Sequence, residues 1–177
     1  APFRLFKTFP TEGGTRTPAL ISGPGLVPGG LGTPRSEAFA TVRDITPTLL
    51  ELAGITHPGT RYGNRVVTPM SGTSLVPFLL GEAPTAHDPD VVVGQELFGR
   101  RALRRGNWKA LWLGPPYGEG QWQLFDLATD HAESKDLADT HPEVLASLLV
   151  DWARFREANR VILPAKDAGY ANEDSWQ

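Results

Sequence analysis

Two short runs joined by a tight turn constrain the fold of this chain more than any other feature. Residues 100–105 and 108–113 flank Gly106-Asn107, a dipeptide typical of the turn in a β-hairpin. Residues 91–93 and 121–127 are rich in β-branched or aromatic residues and predict further strands. Together these runs predict an antiparallel sheet of about four strands.

An amphipathic helix is predicted after the sheet. Pro142 suits the first turn of a helix, because no amide proton is needed there, and Thr140 with Glu143 predicts a capping box. Apolar residues then recur at helical spacing, at Leu145, Leu148, Leu149, Trp152 and Phe155. We expect this stripe to cover one face of the sheet. Residues 89–163 are therefore predicted to be a small α+β domain, followed by a tail at 164–177.

The first half of the chain has a different pattern. Residues 18–21 form a short apolar run that predicts a buried strand. Residues 42–53 carry apolar side chains at helical spacing, and residues 74–80 predict a second, shorter helix. We interpret residues 1–88 as the C-terminal portion of a larger α/β domain. The opening stretch is typical of the middle of a protein, so we expect the chain to be a fragment.

Composition excludes several kinds of site. The chain has no cysteine, so it holds no disulfide, thiolate zinc site or cysteine nucleophile. Its net charge of -3 argues against nonspecific binding to nucleic acid. No apolar run approaches the roughly 20 residues of a membrane span, so we expect a soluble protein. A short basic run is predicted to occupy solvated positions of the sheet: Arg100, Arg101, Arg104 and Arg105.

Few residues suggest catalysis or metal binding. The histidines are scattered and are predicted to be surface or capping residues: His57, His87, His131 and His141. The acidic residues between 126 and 136 are predicted to serve turns rather than a metal. Because no histidines have metal-ligand spacing, we predict no metal ligand in this chain.

Lys7 is the most informative charged residue. It lies among Phe3, Leu5, Phe6 and Phe9, five positions before Glu12-Gly13-Gly14. A cation placed against apolar walls and near backbone amides suits an anion. The two glycines permit a tight bend or a positive φ. By itself the pattern is weak, since a lone lysine is usually a solvated surface charge.

Five motifs follow one another along the chain. They are Lys7 with Glu-Gly-Gly-x-Arg-x-Pro at 12–18, the helix at 44–54, Gly-x-Ser-Leu at 72–75, the hairpin at 103–109, and Leu-Phe-Asp-Leu at 124–127 with Glu133 and Leu137. In this order they resemble the type I sulfatases of the alkaline phosphatase-like superfamily, with the strongest resemblance to bacterial arylsulfatases. One departure is Ser71, where the family usually has Asp. The resemblance runs from Ala1 to about Trp152.

The resemblance implies hydrolysis of sulfate esters to an alcohol or phenol and inorganic sulfate. It also implies a formylglycine nucleophile and a bound Ca²⁺. Residue by residue only Lys7 carries over, as a contact of the sulfate oxygens. Glu12, Gly13, Gly14 and Arg16 are expected to shape the loop that positions Lys7. The formylglycine motif and the metal ligands of the family are not found in this sequence, so we expect the chain alone to be inactive.

Two other interpretations remain open. One is a fragment of a related phosphonate monoester or phosphodiester hydrolase, and the other is a noncatalytic module that contacts partners through its small sheet. The expected partners are a sulfate-ester substrate and the missing N-terminal part of the sulfatase, without nucleic acid or a membrane span. A bacterial protein of the cytoplasm or periplasm is expected.

Overall fold

The computed structural model describes residues 2–23, 25–26 and 36–164. These residues form two compact units. One takes its described residues from 2–18 and 89–164, and the other takes them from 19–88. We call them the sheet unit and the helical unit. The predicted tail lies outside the described residues, apart from Pro164. In the part of the chain that is described, no helix has the length and apolar character needed to cross a membrane.

The sheet unit is built on a four-stranded antiparallel meander. Its strands pair in chain order, and the predicted hairpin forms with Arg105 opposite Trp108. Gly106 has a φ of 57° in the turn, a conformation that glycine adopts without a steric penalty. The prediction of about four antiparallel strands is therefore confirmed. The strands are β3 (Val92–Leu97), β4 (Arg100–Arg105), β5 (Trp108–Trp112) and β6 (Trp122–Asp126).

Helix α4 (Pro142–Ala158) covers one face of this sheet. Its buried residues Leu148 and Trp152 pack with Leu103, Ala110 and Leu124 of the strands, so the predicted helix-on-sheet arrangement is confirmed. The predicted capping box is wrong, because the N-cap position is His141 and no side chain caps the helix. The Thr140 hydroxyl instead donates to the carbonyl of Leu137 at 3.1 Å, in the preceding turn.

The opening segment covers the other face of the sheet. Phe9 is 3% exposed and belongs to a second apolar cluster. The one-turn helix α1 (Glu12–Thr15) follows it. Residues 2–18 thus group with residues 89–164, whereas the predicted division placed them with the rest of 1–88. The reason is that the sheet has two apolar faces and α4 covers only one. The sheet residues of this second cluster are Ala102, Leu111, Leu113, Phe125 and Leu127.

The helical unit has little regular structure in its described residues. The predicted strand at 18–21 is wrong, because Leu20 is 89% exposed and no strand is present there. The predicted helix at 42–53 forms, but the apolar residues Ile45 and Leu49 are exposed. The elements of this unit are a 3-10 helix (Val42–Asp44), α2 (Ile45–Leu52), the strands β1 (Arg61–Tyr62) and β2 (Arg65–Val66), and α3 (Val76–Leu79).

Candidate functional site

Lys7 lies on an exposed turn of the sheet unit. The N–H of Phe9 donates to the carbonyl of Phe6 at 3.2 Å and closes the turn around Lys7. Leu5 and Thr8 both adopt left-handed backbone conformations, with φ of 56° and 77°. For residues other than glycine, each such conformation costs on the order of 1–3 kcal/mol and persists only when its surroundings impose it. The backbone around Lys7 is therefore strained and externally supported.

The expected apolar walls do not enclose Lys7. Phe9 is buried in the sheet core, whereas Phe6 is 51% exposed and Lys7 is itself exposed. The rings of Phe6 and Phe9 meet edge to face, with centroids 5.3 Å apart. Among the described residues, the Lys7 ammonium has no hydrogen bond or ion pair.

Helix α1 packs against the backbone of this turn, and its two glycines make that possible. A Cβ on Gly13 would lie 2.2 Å from the carbonyl oxygens of both Arg4 and Leu5. A Cβ on Gly14 would lie 2.0 Å from the carbonyl oxygen of Phe9. The glycines therefore permit a close approach between two backbone segments. They do not supply a positive φ, because the left-handed residues are the neighbours of Lys7.

A buried ion cluster fixes the start of α1 on the sheet. The Lys109 ammonium lies 2.9 Å from Glu12 Oε1 and 2.7 Å from Glu133 Oε1. Glu133 Oε2 also accepts the backbone N–H of Glu12 at 3.0 Å. The side chains of Lys109, Glu12 and Glu133 are 3%, 6% and 0% exposed. We call these three residues the buried triad.

Glu133 is the perturbed member of the buried triad. Burial raises the pKa of the Glu133 carboxyl, and the nearby Lys109 ammonium only partly counteracts this effect. Its backbone is also left-handed, with a φ of 54°. The sequence placed Glu133 among carboxylates that serve a turn, and this assignment is wrong for Glu133. No local pattern links a glutamate to a lysine on a strand 24 positions earlier.

Arg16 lies at the C-terminal end of α1. Its Nη1 is 2.9 Å from Nδ1 of His131 and 3.7 Å from Oε2 of Glu12. The guanidinium carbon also lies 5.2 Å from the centroid of the Phe3 ring. Helix α1 and its C-cap residue therefore contain all four residues that were expected to position Lys7, namely Glu12, Gly13, Gly14 and Arg16.

The basic run is less solvated than predicted. Arg100 is fully buried, and its Nη1 donates to both the carbonyl and the hydroxyl of Thr8 at 3.2 Å. On the opposite face, Arg101 stacks over Trp112 at 4.0 Å. The prediction of solvated positions is wrong for Arg100. Its side chain points toward the face that the opening segment covers, and local sequence does not reveal that cover.

The other acidic residues near Glu133 serve turns, as predicted. Asp130 accepts the N–H groups of Ser134 and Lys135 at 2.7 and 2.9 Å, and Asp136 accepts that of Ala138 at 2.9 Å. Within the described ranges, no group of three or more His, Asp or Glu side chains could hold a metal ion. These residues therefore do not fit the Ca²⁺ that the family resemblance implies.

The helical unit contains a buried histidine–aspartate pair. His87 Nε2 lies 2.8 Å from Asp44 Oδ2, and the two side chains are 8% and 0% exposed. Asp44 also accepts the N–H groups of Thr41 and Thr73 at 2.6 and 2.9 Å. Burial alone would raise the pKa of Asp44, but these hydrogen bonds outweigh it and lower the pKa. The prediction that His87 is a surface or capping residue is wrong.

Three curated relatives share sequence with this chain. An uncharacterized sulfatase of Schizosaccharomyces pombe is 40% identical over 94% of the chain and 29% of the relative. A choline-sulfatase of Rhizobium meliloti is 35% identical over 72% of the chain and 22% of the relative. Arylsulfatase K of Mus musculus is 31% identical over 82% of the chain and 26% of the relative. The chain thus spans less than a third of each. No protein-family model matches the chain.

A solved structure shares the fold. A Bacteroides thetaiotaomicron protein, described in connection with the metabolism of multiple glycosaminoglycans, superposes with a TM-score of 0.67 at 22% identity. The match covers 88% of this chain and 32% of that protein. The curated relatives come from a fungus, a bacterium and a mammal, so they do not favour the expected bacterial origin.

Proposed function

We propose, since this chain belongs to the sulfatase family, that the whole protein hydrolyses sulfate esters to an alcohol or phenol and inorganic sulfate. The chain spans 22–29% of the three curated relatives, a share that fits the predicted C-terminal part of a sulfatase. The activity is therefore proposed for the whole protein, and the chain by itself is expected to lack it.

Within this chain, we assign Lys7 to the sulfate group. The observation that supports this role is the pair of left-handed residues, Leu5 and Thr8, on either side of an exposed lysine. Backbone strain of this kind clusters at functional sites, where the surroundings hold a side chain in place. An ammonium near the sulfate oxygens lowers the cost of holding their charge away from water. Because charge shifts as the ester bond breaks, part of this attraction is gained only in the transition state.

We assign Glu12, Gly13, Gly14 and Arg16 to the support of the Lys7 turn. The glycines bring α1 against the carbonyls that flank Lys7. Glu12 ties the start of α1 to Lys109 of β5. Arg16 contacts Phe3 and His131 at the other end of α1. Each residue thus acts on Lys7 through the backbone and does not need to touch the substrate.

The remaining catalytic groups belong to the rest of the protein under this proposal. A formylglycine would supply the nucleophile and Ca²⁺ would bind the sulfate, as the family resemblance implies. The sequence of this chain offers no formylglycine motif. We also propose that residues 1–88 belong to the catalytic α/β domain of the alkaline phosphatase-like superfamily, a proposal supported by the five motifs and by sulfatase homology.

The test is hydrolysis of an aryl sulfate by the whole protein. Removing one positioned donor typically lowers the rate by a factor of about 10² to 10³, and Lys7→Ala should lower kcat/KM by this amount. Lys7→Arg should restore little activity, because a planar guanidinium does not replace a compact ammonium. Lys135→Ala is the matched control, since Lys135 is another exposed lysine of the sheet unit.

Two results would contradict the proposal. If kcat/KM of Lys7→Ala stays within threefold of wild type, Lys7 is an ordinary surface lysine. If the isolated chain hydrolyses an aryl sulfate faster than its own Lys7→Ala variant does, its activity does not depend on the proposed N-terminal part of the sulfatase. Thermal midpoints measured in parallel should stay unchanged, because an exposed lysine contributes little to stability.

A further inference from the structure

We propose that Arg100 is a positioning residue for Lys7. Its guanidinium holds Thr8 in the left-handed conformation and thereby sets the place of the Lys7 ammonium. This inference rests on the proposed function, because it gives Arg100 a role only if Lys7 acts on the substrate. Its physical basis is independent of that function and lies in the contacts between strand β4 and the Lys7 turn.

The turn needs an external support. Thr8 directly follows Lys7 and has a φ of 77°, a conformation that a β-branched residue strongly disfavours. The hydrogen bond from Phe9 N–H to Phe6 O closes the turn, but it does not bond any group of Thr8. A contact to Thr8 itself is therefore required to keep the turn in this form.

Arg100 supplies that contact. Its Nη1 donates to the Thr8 carbonyl and to the Thr8 hydroxyl, both at 3.2 Å. One nitrogen thus bonds the backbone and the side chain of the same residue, which restricts the rotation of both. Its guanidinium carbon also lies 3.8 Å from the centroid of the Phe9 ring. The Arg100 side chain therefore bonds Thr8 and contacts Phe9, the two residues that follow Lys7.

The burial of Arg100 gives this contact rigidity. The side chain is fully buried, starts on a strand paired on both sides, and also approaches the Tyr117 ring at 5.4 Å. A planar guanidinium can stack on rings and donate hydrogen bonds in its plane at the same time, which an ammonium cannot do. Lysine at position 100 would keep the charge but lose the stacking. Arg100→Lys therefore tests the geometry separately from the charge.

Arg101 offers a matched control on the same strand. It also stacks on a ring, that of Trp112, but on the opposite face of the sheet. In the whole protein, Arg100→Lys should lower kcat/KM for an aryl sulfate by about 10²-fold, the loss expected from a displacement of about 1 Å. Arg101→Met should stay within threefold of wild type. Thr8→Gly, which leaves the apolar core intact but frees the turn, should lower kcat/KM in the same way as Arg100→Lys.

A double-mutant cycle with Lys7→Ala separates positioning from general damage. If Arg100 acts through Lys7, adding Arg100→Lys to a Lys7→Ala protein should change kcat/KM by less than threefold. Losses that multiply in the double variant would overturn the proposal. Equal losses of kcat/KM in Arg100→Lys and Arg101→Met would overturn it as well, because both substitutions would then lower activity by disturbing the sheet and not the Lys7 turn.

Hydrogen–deuterium exchange tests the same contact without an activity. In the chain itself, a peptide covering residues 4–13 should exchange at least tenfold faster in Arg100→Lys than in Arg101→Met. Equal exchange in the two variants would overturn the Arg100 proposal, even in an active enzyme. A wild-type whole protein without sulfatase activity would instead overturn the proposed function, and the exchange result would still decide whether Arg100 holds the turn.

Discussion

The ammonium nitrogen of Lys109 lies 2.7 Å from a carboxylate oxygen of Glu133, and both side chains are almost fully buried. Glu12 joins them on the other side of the ammonium. One ammonium thus forms ion pairs with two carboxylates in the protein interior. Since removal of one partner leaves uncompensated buried charge, the stability of the sheet unit should depend strongly on Lys109.

Lys109→Met should destabilise the sheet unit by about 3–5 kcal/mol, because it leaves two buried carboxylates without their cation. Urea unfolding followed by tryptophan fluorescence measures this effect, since no tryptophan lies between residues 19 and 88. Arg154→Met is the control. Its ion pair with Asp151 is on a side chain that is 77% exposed, and such pairs contribute about 0–1 kcal/mol. If Lys109→Met lowers the free energy of unfolding by less than about 3 kcal/mol, the role assigned to the buried triad is wrong.

Glu133 should make the sheet unit less stable as the pH rises. The pKa of its carboxyl is raised by burial above the ordinary value of 4.5. The folded state therefore binds this proton more tightly than the unfolded state, and the contribution is fully present below pH 4.5. It is lost as the pH rises from 4.5 through the folded-state pKa, by about 1.4 kcal/mol for each unit between the two values.

Glu133→Gln isolates that contribution. The free energy of unfolding of wild type minus that of the variant should fall between pH 4.5 and the folded-state pKa and should stay constant at higher pH. The comparison removes the titration of other groups common to both proteins. If the difference instead grows as the pH rises, the Lys109 ammonium outweighs burial and the sign assigned here is wrong.

Asp44 should have the opposite pH dependence in the helical unit. Its pKa is lowered below 3.8, because the hydrogen bonds to its carboxylate outweigh burial. Its contribution is present above pH 3.8 and is lost as the pH falls through the folded-state pKa. Asp44→Asn should cost about 1–3 kcal/mol at neutral pH, since buried donors lose their acceptor.

Hydrogen exchange over residues 41–52 measures the Asp44 effect, because the helical unit contains no tryptophan. Asp44→Asn should exchange faster than wild type at neutral pH. The difference between their exchange rates, compared at the same pH, should become smaller at acidic pH. Glu82→Gln is the control, since Glu82 is an exposed acid of the same unit. A gap that persists unchanged at low pH would contradict the pKa assignment.

Gly13→Ala tests the close approach beneath the Lys7 turn. Helix propensity alone predicts that alanine stabilises a helical position by up to about 1 kcal/mol. The new Cβ would lie 2.2 Å from two backbone carbonyl oxygens, so we expect a loss of about 1–3 kcal/mol instead. Gly114→Ala should be nearly neutral, because its Cβ would meet only the Trp112 ring at 3.4 Å. Urea unfolding followed by tryptophan fluorescence distinguishes the two signs.

Local signals predicted much of the sheet unit. The turn at Gly106-Asn107 sets the register of one hairpin, and Pro142 marks the first turn of the last helix. The apolar stripe through Leu148 faces the sheet because an amphipathic helix buries the side that carries its apolar residues. The same kind of signal failed at residues 18–21, because an apolar run becomes a strand only if another strand pairs with it.

The sequence by itself determined the order of the four strands and the last helix of the sheet unit, and the motifs that carry the sulfatase resemblance, including Lys7. Turns, periodicity and motifs depend on residues close together in the chain, so they can be read without coordinates. Only the tertiary structure decided that Arg100 bonds Thr8 and that Glu12 and Glu133 share Lys109. These contacts join residues 92, 97 and 24 positions apart. The contacts of Arg100 with Thr8 and of Lys109 with Glu12 exist because the opening segment folds onto the second apolar face of the sheet.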